Sequence, residues 1–397
     1  MFLCRLQARR QVGWLLRNHR SMEKFEALFG VYGVPHGDTL NHAFCGVEPG
    51  EVQEVLCMMT ETLIRKKLLY DSRLVQRYYV VAGDGTGTVS YSQRHCPHCL
   101  RRTHNGKTQY YHNVLEFKVV TAEGFAFSLI SEFIENEAAD VSKQDCETKA
   151  FYRLARRLKE RFPRLSISLS LDGLFARGPT FGLCEDLGWK YMIVLKDNDL
   201  PSVHEEFDAL VELQSENRHT VRTGKDGAVQ QRYRWVDDIA YGDSQGRHHT
   251  LSVVECIETR PGKDANPRVR KHMWVTNHKV TQTHVAALAN EGGRMRWKIE
   301  NEGFNVQKNG GYGLEHAYTN NPNSAKVFYF LLQIAHMLAQ LVEHGSLLRK
   351  IFPAGLGSAK NLALRLLEAW RNGRISPADI EQIARPRLQI RFRFDTS

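Results

Sequence analysis

The feature that most constrains this fold is a succession of short apolar, β-prone runs in the first half of the chain. Amphipathic stretches at 146–162 and 174–188 separate the later runs and have the spacing of helices. Strands that alternate with helices are typical of an α/β fold, so we predict a mixed sheet with flanking helices. The β-prone runs are at 78–82, 110–121, 124–134, 165–171 and 191–195.

Two of these runs are followed by the same dipeptide, an Asp and then a Gly. Asp84 comes after the run at 78–82, and Asp172 comes directly after the run at 165–171. If both strands end here, both carboxylates emerge at the carboxyl edge of the sheet, where they can bind a hard divalent cation. The alternative is that each Asp-Gly pair is an ordinary turn, which is common for this dipeptide.

A third acidic residue lies on a predicted helix at 294–308. Arg296 and Glu300 are four residues apart and therefore share one face of this helix. Glu300 would complete a three-carboxylate metal site and Arg296 would bind a phosphate; the alternative is an ordinary surface ion pair. Glu302 is a rival for the third acid, but it is six residues from Arg296 and lies near the opposite face.

The order of these motifs resembles that of bacterial insertion-sequence transposases of the DDE class. The specific part is the segment 296–300, which reads Arg-Trp-Lys-Ile-Glu, and the resemblance covers roughly 77–344. The sequence most resembles the cut-and-paste group of these transposases, which has a β-rich insertion before the last catalytic acid. The resemblance implies a ribonuclease-H-like fold with Asp84, Asp172 and Glu300 as catalytic residues. They would hold Mg²⁺, or Mn²⁺, in a two-metal reaction that cuts element ends and joins them to target DNA.

Two positions depart from the pattern of that group. A Tyr is usual three residues before the Arg, where this chain has Gly293. A Lys is usual seven residues after the Glu, where this chain has Gln307. In this interpretation the neighbouring Lys308 takes the place of that Lys. We therefore expect Arg296 and Lys308 to contact DNA phosphates.

Two cysteines separated by two residues lie between the first two predicted strands. Cys96 and Cys99 are followed by His104 and His112, and these four side chains would complete a tetrahedral structural zinc site. The alternatives are a redox-active pair or two ordinary thiols. The sequence therefore predicts a zinc site that would stabilise the loop after the first strand.

The charge of the chain favours a polyanionic partner. It has 54 Lys and Arg against 44 Asp and Glu, a formal net charge of +10, and basic side chains gain from releasing counterions around phosphates. Arg101 and Arg102 flank the cysteine pair, so we expect this loop to contact double-stranded DNA. The chain has neither the apolar core of a signal peptide nor a membrane-spanning run, which predicts a cytoplasmic protein. The resemblance to transposases also implies that the protein forms a homodimer when it assembles on DNA.

The pattern also predicts a division of the chain into five parts. They are an N-terminal helical, DNA-binding part (1–75), two parts of the catalytic domain (76–200 and 271–345), a mainly β insertion (201–270) and a C-terminal helical tail (346–397).

Two other functions are compatible with the same residues. One is a structure-specific, metal-dependent DNA nuclease that performs no strand transfer. The other is a DNA-binding protein derived from a transposase that no longer cuts, and the presence of all three acids argues against it.

Overall fold

The computed structural model describes residues 1–139, 141–262, 266–345 and 357–384, together with Phe352 and Gly355. The strands are β1 (Tyr79–Tyr91), β2 (Leu100–His104), β3 (Lys107–Val120), β4 (Ala126–Ile134), β5 (Ile167–Leu171), β6 (Lys190–Val194), β7 (Arg218–Thr223), β8 (Val229–Gly242), β9 (His248–Arg260) and β10 (Arg268–Thr276). The helices are α1 (Arg9–Leu16), α2 (His19–Phe29), α3 (Gly37–Cys45), α4 (Pro49–Arg65), α5 (Glu147–Arg161), α6 (Gly178–Leu187), α7 (Pro201–Leu210), α8 (Val285–Ala287), α9 (Arg296–Lys298), α10 (Val306–Asn309), α11 (Pro322–His344), α12 (Ala359–Asn372) and α13 (Pro377–Ala384).

All ten of these strands belong to one mixed sheet. Its order is β2-β3-β1-β5-β6-β10-β9-β8-β7, and β4 pairs with β3 beside the part of β3 that β2 leaves free. The pairs β1–β5 and β5–β6 are parallel, whereas the others are antiparallel. The α/β prediction is confirmed at this level. The strands β7 to β9, from the predicted β insertion, extend the same sheet through β10.

Strand β1 is longer than its apolar run predicted. The expectation that it ends before Asp84 is wrong, because β1 continues to Tyr91. Its antiparallel partner β3 pairs with it from Val81 to Tyr91 and supplies the backbone hydrogen bonds on one side. The pairing with β5 on the other side extends only to Ala82. Asp84 therefore lies in the middle of a strand, at the point where one of its two neighbours ends.

Helices cover both faces of the first five strands. Helix α5 packs Phe151 against Phe117 of β3, while α4 packs along β4, where Thr60 donates to the carbonyl of Ser128. Helix α11 lies against the opposite side, where Gln333 accepts a hydrogen bond of 2.7 Å from Lys118. Lys118 is fully buried and pairs with the equally buried Glu116. The predicted helical character of the first seventy residues agrees with α1 to α4.

The helix predicted at 294–308 belongs to a longer helical segment at 285–309, called the composite helix below. It alternates α-helical turns with π-helical turns at Leu288–Gly292 and Ile299–Asn305 and a 3-10 turn at Gly293–Met295. Two of its glycines allow close packing: a Cβ at Gly293 would overlap the Trp274 indole, and one at Gly303 would lie 3.3 Å from Lys118. The Gly at 293, where the resembling group has Tyr, therefore has a packing reason.

Helix α11 is long and apolar enough to cross a membrane by length and composition, with a mean hydropathy of 1.4 in its most apolar window. Most of that window is buried inside the molecule, and Gln333, His336 and Gln340 make hydrogen bonds to the core. These contacts are those of a core helix. Of the predicted C-terminal tail, α12 packs Trp370 against Phe25 of α2, whereas 346–351 and 385–397 lie outside the described residues.

Candidate active site and metal centre

Asp84 and Asp172 each lie two residues beyond the last paired position of two adjacent parallel strands. The pairing of β1 with β5 runs up to Ala82 and Ser170, so two further positions along each strand lead to the two acids. Adjacent strands are about 4.8 Å apart. The register therefore brings the first two predicted catalytic residues to the same edge of the sheet.

Asp172 follows β5 directly and caps a 3-10 turn at Gly173–Phe175. Its Oδ1 accepts a hydrogen bond of 2.9 Å from the backbone N–H of Leu174, as a capping residue does. Its Oδ2 lies 4.0 Å from Nζ of Lys196. One oxygen is therefore held by the backbone, and the other remains accessible to a ligand.

Arg296 joins the composite helix to the strand edge. Its Nη1 donates to Oε1 of Glu300 at 2.7 Å and lies 3.4 Å from Oδ2 of Asp84. The guanidinium also lies over the ring of Trp297, 4.5 Å from the centroid, and the side chain is only 9% exposed. Glu302 pairs instead with Lys298 at 3.3 Å. Glu300, rather than Glu302, is thus the acid that the helix brings beside Asp84.

The surroundings of Asp84 contain too little positive charge to stabilise its ionised form. Burial raises the pKa of Asp84 to about 7, the Arg296 guanidinium opposes that rise, and the negative charge of Glu300 adds to it. One arginine shared between two carboxylates does not neutralise both. A divalent cation bound here would supply the missing charge and would favour the ionised form of Asp84.

A fourth carboxylate, which the sequence analysis did not identify, lies near Asp84 and Asp172. Glu147 is the first residue of α5, and its carboxylate packs so closely on Gly85 that a Cβ there would overlap it. Burial raises the pKa of Glu147, and the negative charge of Asp172 raises it further. Nothing in the sequence separates Glu147 from any acid at a helix start, because only the packing of α5 on β1 brings it here.

Of the two cations predicted for the site, Arg296 lies at Asp84 and Glu300, whereas Lys308 does not, and Lys196 was not predicted. Lys196 lies in contact distance of Asp172, and its side chain is 60% exposed, so its ammonium group is accessible to a ligand. Lys308 pairs with Glu315 at 2.8 Å, and eight residues of helix separate it from Glu300, about 12 Å along the axis. Gln307 is buried and turned into the core, where it bonds Gln333 and His336.

A second cluster lies beyond the far end of β1, where the loop that leads to β2 packs against strand β3. The ligand atoms of His95, Cys96, Cys99 and His112 all lie within 4.8 Å of one another. The two sulfurs are 3.4 Å apart, and Nε2 of His112 is 3.4 and 3.5 Å from them. Nδ1 of His95 is 3.2 Å from Sγ of Cys99. Tetrahedral zinc with its usual bond lengths places such atoms about 3.5 to 3.8 Å apart. The cluster therefore has a donor set and spacing that fit zinc.

The charge state of the cluster also suits a metal. Burial lowers the pKa of His112 to about 4, with a further contribution from His95, so its imidazole is neutral and able to bind. Burial raises the pKa of the Cys96 thiol to about 11, and its contact with Cys99 adds to the rise. Binding a metal would displace these thiol protons, which makes metal affinity dependent on pH.

The predicted ligand set is wrong at one position. His104 is exposed and pairs with Lys107 at the turn of the β2–β3 hairpin. It is four residues along β2 from Leu100, which is about 14 Å of strand. His95 takes its place, because the loop folds back and its ring packs on Tyr91 at 3.9 Å. The spacing of His95 beside Cys96 was visible in the sequence, but an adjacent pair of ligands is not the usual zinc-knuckle pattern.

Arg101 and Arg102, the predicted DNA contacts, lie on β2 with exposed side chains. Arg102 donates to Gln109 at 2.8 Å and lies over the ring of Tyr111. The hairpin thus presents basic groups just beyond the metal cluster.

Comparison with known proteins adds no assignment. No protein-family model matches this sequence, and a search of curated proteins finds no match. The functional interpretation therefore depends on the residues of the two clusters and their geometry.

Proposed function

We propose that this chain is a DDE-type DNA transposase that cuts element ends and joins them to target DNA. The observation that supports the proposal is the placement of three acids from different elements around the end of the pairing between two parallel strands. Asp84 and Asp172 come from two adjacent parallel strands, and Glu300 from a helix, where Arg296 contacts both Glu300 and Asp84. These three acids are the proposed catalytic residues.

The sheet supports a ribonuclease-H-like catalytic domain. Its first five strands other than β2 have the order β4-β3-β1-β5-β6, with three antiparallel strands followed by two parallel ones. The additional strands β7 to β9 come before the composite helix in the chain, as the resembling group's β-rich insertion does. Both features support the ribonuclease-H-like interpretation.

The acidic cluster fits Mg²⁺ or Mn²⁺, because carboxylate oxygens are the ligands these cations prefer. When bound, the cations would activate the attacking oxygen and stabilise the leaving oxygen during in-line displacement at phosphorus. Asp84 and Asp172 would hold them from the rigid sheet edge, and Glu300 from the composite helix. Glu147 would add negative charge on the α5 side of the site. No covalent nucleophile is required in this chemistry.

Basic side chains of different exposure would hold the DNA. Lys196 is the most accessible cation next to Asp172 and suits a phosphate at the reacting position. Arg296 is paired with carboxylates and would turn to a phosphate once cations neutralise them. Arg101, Arg102 and Lys308 would contact DNA farther from the reacting phosphate. We propose that the protein acts as a homodimer on double-stranded DNA in the bacterial cytoplasm.

The second cluster has a structural role in this proposal. Zinc held by His95, Cys96, Cys99 and His112 would connect the loop after β1 to strand β3, and so would stiffen the strand that carries Asp84. Four protein ligands complete a tetrahedral zinc site and leave no position for a substrate.

The test separates binding from chemistry. Donor DNA made from the sequences that flank the coding region is incubated with Mg²⁺ and a target plasmid, and end cleavage and strand transfer are measured on gels beside a binding assay. Asp172→Ala should abolish both reactions and leave DNA affinity within about threefold, because affinity comes mainly from basic contacts. Asp208→Ala, which removes an exposed acid from α7, is the matched control.

Each outcome has a distinct meaning. Cleavage without strand transfer by the wild type would favour the nuclease, and DNA binding without either reaction would favour a protein that no longer cuts. Full cleavage by Asp172→Ala would refute the assigned active site. Joint loss of binding and cleavage would mean misfolding, and Asp172→Asn then replaces it as the test.

A further inference from the structure

We propose that Glu135 and Asn136, the two residues after β4, form the outer shell of the zinc centre and connect the metal-bearing loop to helices α5 and α11. The proposal depends on the metal cluster and is independent of the DNA chemistry proposed above. It assigns a role to two residues that belong neither to the metal ligands nor to the acidic site.

His112 presents its two ring nitrogens to different partners. Nε2 faces the two thiols, at 3.4 Å from Cys96 and 3.5 Å from Cys99. Nδ1 lies 4.0 Å from Oε1 of Glu135. Histidines that bind zinc commonly donate the other N–H to a carboxylate, which selects the tautomer and orients the ring. With zinc bound, Glu135 would be the carboxylate that accepts this hydrogen bond from His112.

Glu135 is itself held from two sides. Its Oε2 accepts a hydrogen bond of 2.6 Å from Nζ of Lys326 on α11, and its backbone N–H donates to Asp145 at 3.3 Å. Zinc with two thiolates and two neutral imidazoles carries no net charge. Lys326 therefore balances the charge of Glu135 itself at the partly exposed edge of the site.

Asn136 holds the backbone of the same loop. It is 4% exposed, and its Nδ2 donates to the carbonyl of Cys99 at 2.9 Å. Its N–H donates to the carbonyl of His98 at 3.1 Å, and its carbonyl is 2.9 Å from Nδ1 of His98. These bonds turn His98 away from the cluster, which explains why His95 rather than His98 is the first histidine ligand.

The outer shell continues to the start of α5. Oδ1 of Asn136 accepts a hydrogen bond of 3.1 Å from the N–H of Asp145, and Arg153 binds both carboxylate oxygens of Asp145. Asp145 is two residues before Glu147, the acid that packs on Gly85. These hydrogen bonds connect the metal-bearing loop to the start of α5, which is the helix end nearest the acidic cluster.

The first experiment measures zinc affinity by competition with a chromophoric chelator on the full chain. Glu135→Ala should weaken zinc binding by about 10- to 100-fold, the effect usual for an outer-shell partner. Glu135→Gln keeps a hydrogen-bond acceptor for His112 and should lose less. Glu137→Gln, an exposed acid two residues away, is the matched control and should retain wild-type affinity. Cys96→Ser gives the reference for loss of an inner ligand.

A second measurement follows the connection to α5. Removal of zinc from the wild type should increase hydrogen exchange at the amides of Glu135 and Asp145, while amides in the middle of α5 stay protected. In the Co²⁺-substituted protein, the d–d absorption of Glu135→Ala should shift as the His112 ring reorients.

Zinc affinity of Glu135→Ala equal to that of the wild type would overturn the outer-shell assignment. Wild-type protein that binds no zinc would overturn the proposal at its foundation. Unchanged exchange at Asp145 after zinc removal would refute the connection to α5. None of these results depends on DNA cleavage, so the proposed function and this proposal can fail separately.

Discussion

Asp84 is the residue whose environment bears most directly on chemistry. Its carboxylate is mostly buried, lies next to Glu300 and shares Arg296 with it. Such a group binds a proton when no metal is present and should exchange that proton for a cation when one arrives. Divalent-metal binding and DNA cleavage should therefore rise with pH through about 7, the pKa of Asp84.

The same pKa predicts the pH dependence of stability. The folded protein holds on Asp84 a proton that the unfolded chain releases near its usual pKa of about 4. The free energy of unfolding without added Mg²⁺ should therefore fall as pH rises from about 4 to about 7. Arg296→Met removes the positive charge that lowers the pKa of Asp84. The pH range over which the free energy of unfolding falls should therefore extend to higher pH. Thermal melts between pH 4 and 9 measure this.

Lys298→Met is the control for that series, since it removes a cation of the same helix that pairs with Glu302. Identical pH profiles for Arg296→Met and the wild type would contradict the proposed contact between Arg296 and Asp84.

Gly85 offers a test of the unpredicted carboxylate. A methyl group there would overlap the Glu147 carboxylate, so Gly85→Ala should destabilise the protein by about 1 to 3 kcal/mol and should lower Mg²⁺-dependent cleavage. Adding Glu147→Ala should remove the overlap and restore much of the stability without restoring full cleavage. Chemical denaturation and the cleavage assay give the two readouts.

Gly87→Ala is the matched control on the same strand, because a Cβ there would meet only Oδ1 of Asn113, at 3.5 Å. Gly85→Ala as stable and as active as Gly87→Ala would contradict a fixed position of the Glu147 carboxylate against Gly85.

At the scale of elements, the composite helix is fixed to α11 by a buried polar network. Gln307 donates to Gln333 at 2.7 Å and bonds Nδ1 of His336 at 2.9 Å, while Gln333 also accepts from Lys118. Burial and the neighbouring Lys118 charge lower the pKa of His336 well below its usual range, so the imidazole is neutral. This network orients the helix that carries Glu300.

Gln307→Leu should leave Gln333 and His336 without their shared partner and should cost about 1 to 3 kcal/mol. Gln307→Lys, which restores the residue usual in the resembling group, should cost more, because it buries a second charge beside Lys118. Lys308→Ala is the control and should change stability by less than about 1 kcal/mol, because its ion pair is partly exposed. A stable Gln307→Lys protein would contradict the buried position of this side chain.

At the scale of the whole molecule, the excess of 10 positive charges predicts salt-dependent DNA binding. The logarithm of the affinity should fall linearly with the logarithm of salt concentration, with a slope of about −0.9 for each phosphate contact. The double change Arg101→Ala and Arg102→Ala should make the slope less negative by up to about 2. Filter binding at several salt concentrations measures it, and Arg156→Ala with Arg164→Ala serves as a control pair. Equal slopes for both pairs would remove the β2 hairpin from the DNA interface.

Local patterns in the sequence were sufficient for the elements that depend on nearby residues. The alternation of apolar runs and amphipathic stretches predicted the α/β class, and the helix at 147–161 agrees with the periodicity seen at 146–162. The spacing of Arg296 and Glu300 predicted that they share one helix face, and the structure has them in contact on that face. The closely spaced Cys96 and Cys99 likewise indicated a metal cluster.

Only the tertiary structure decided which distant residues meet. The length of β1 depends on its pairing with β3, the position of Glu147 on the packing of α5, and that of His95 on a loop that folds back onto Tyr91. His104 was the wrong ligand because it lies at the far end of β2, next to the hairpin turn and away from the cysteines. The first two contacts join residues far apart in the chain, so their geometry depends on the packing of whole elements and leaves no local spacing to detect.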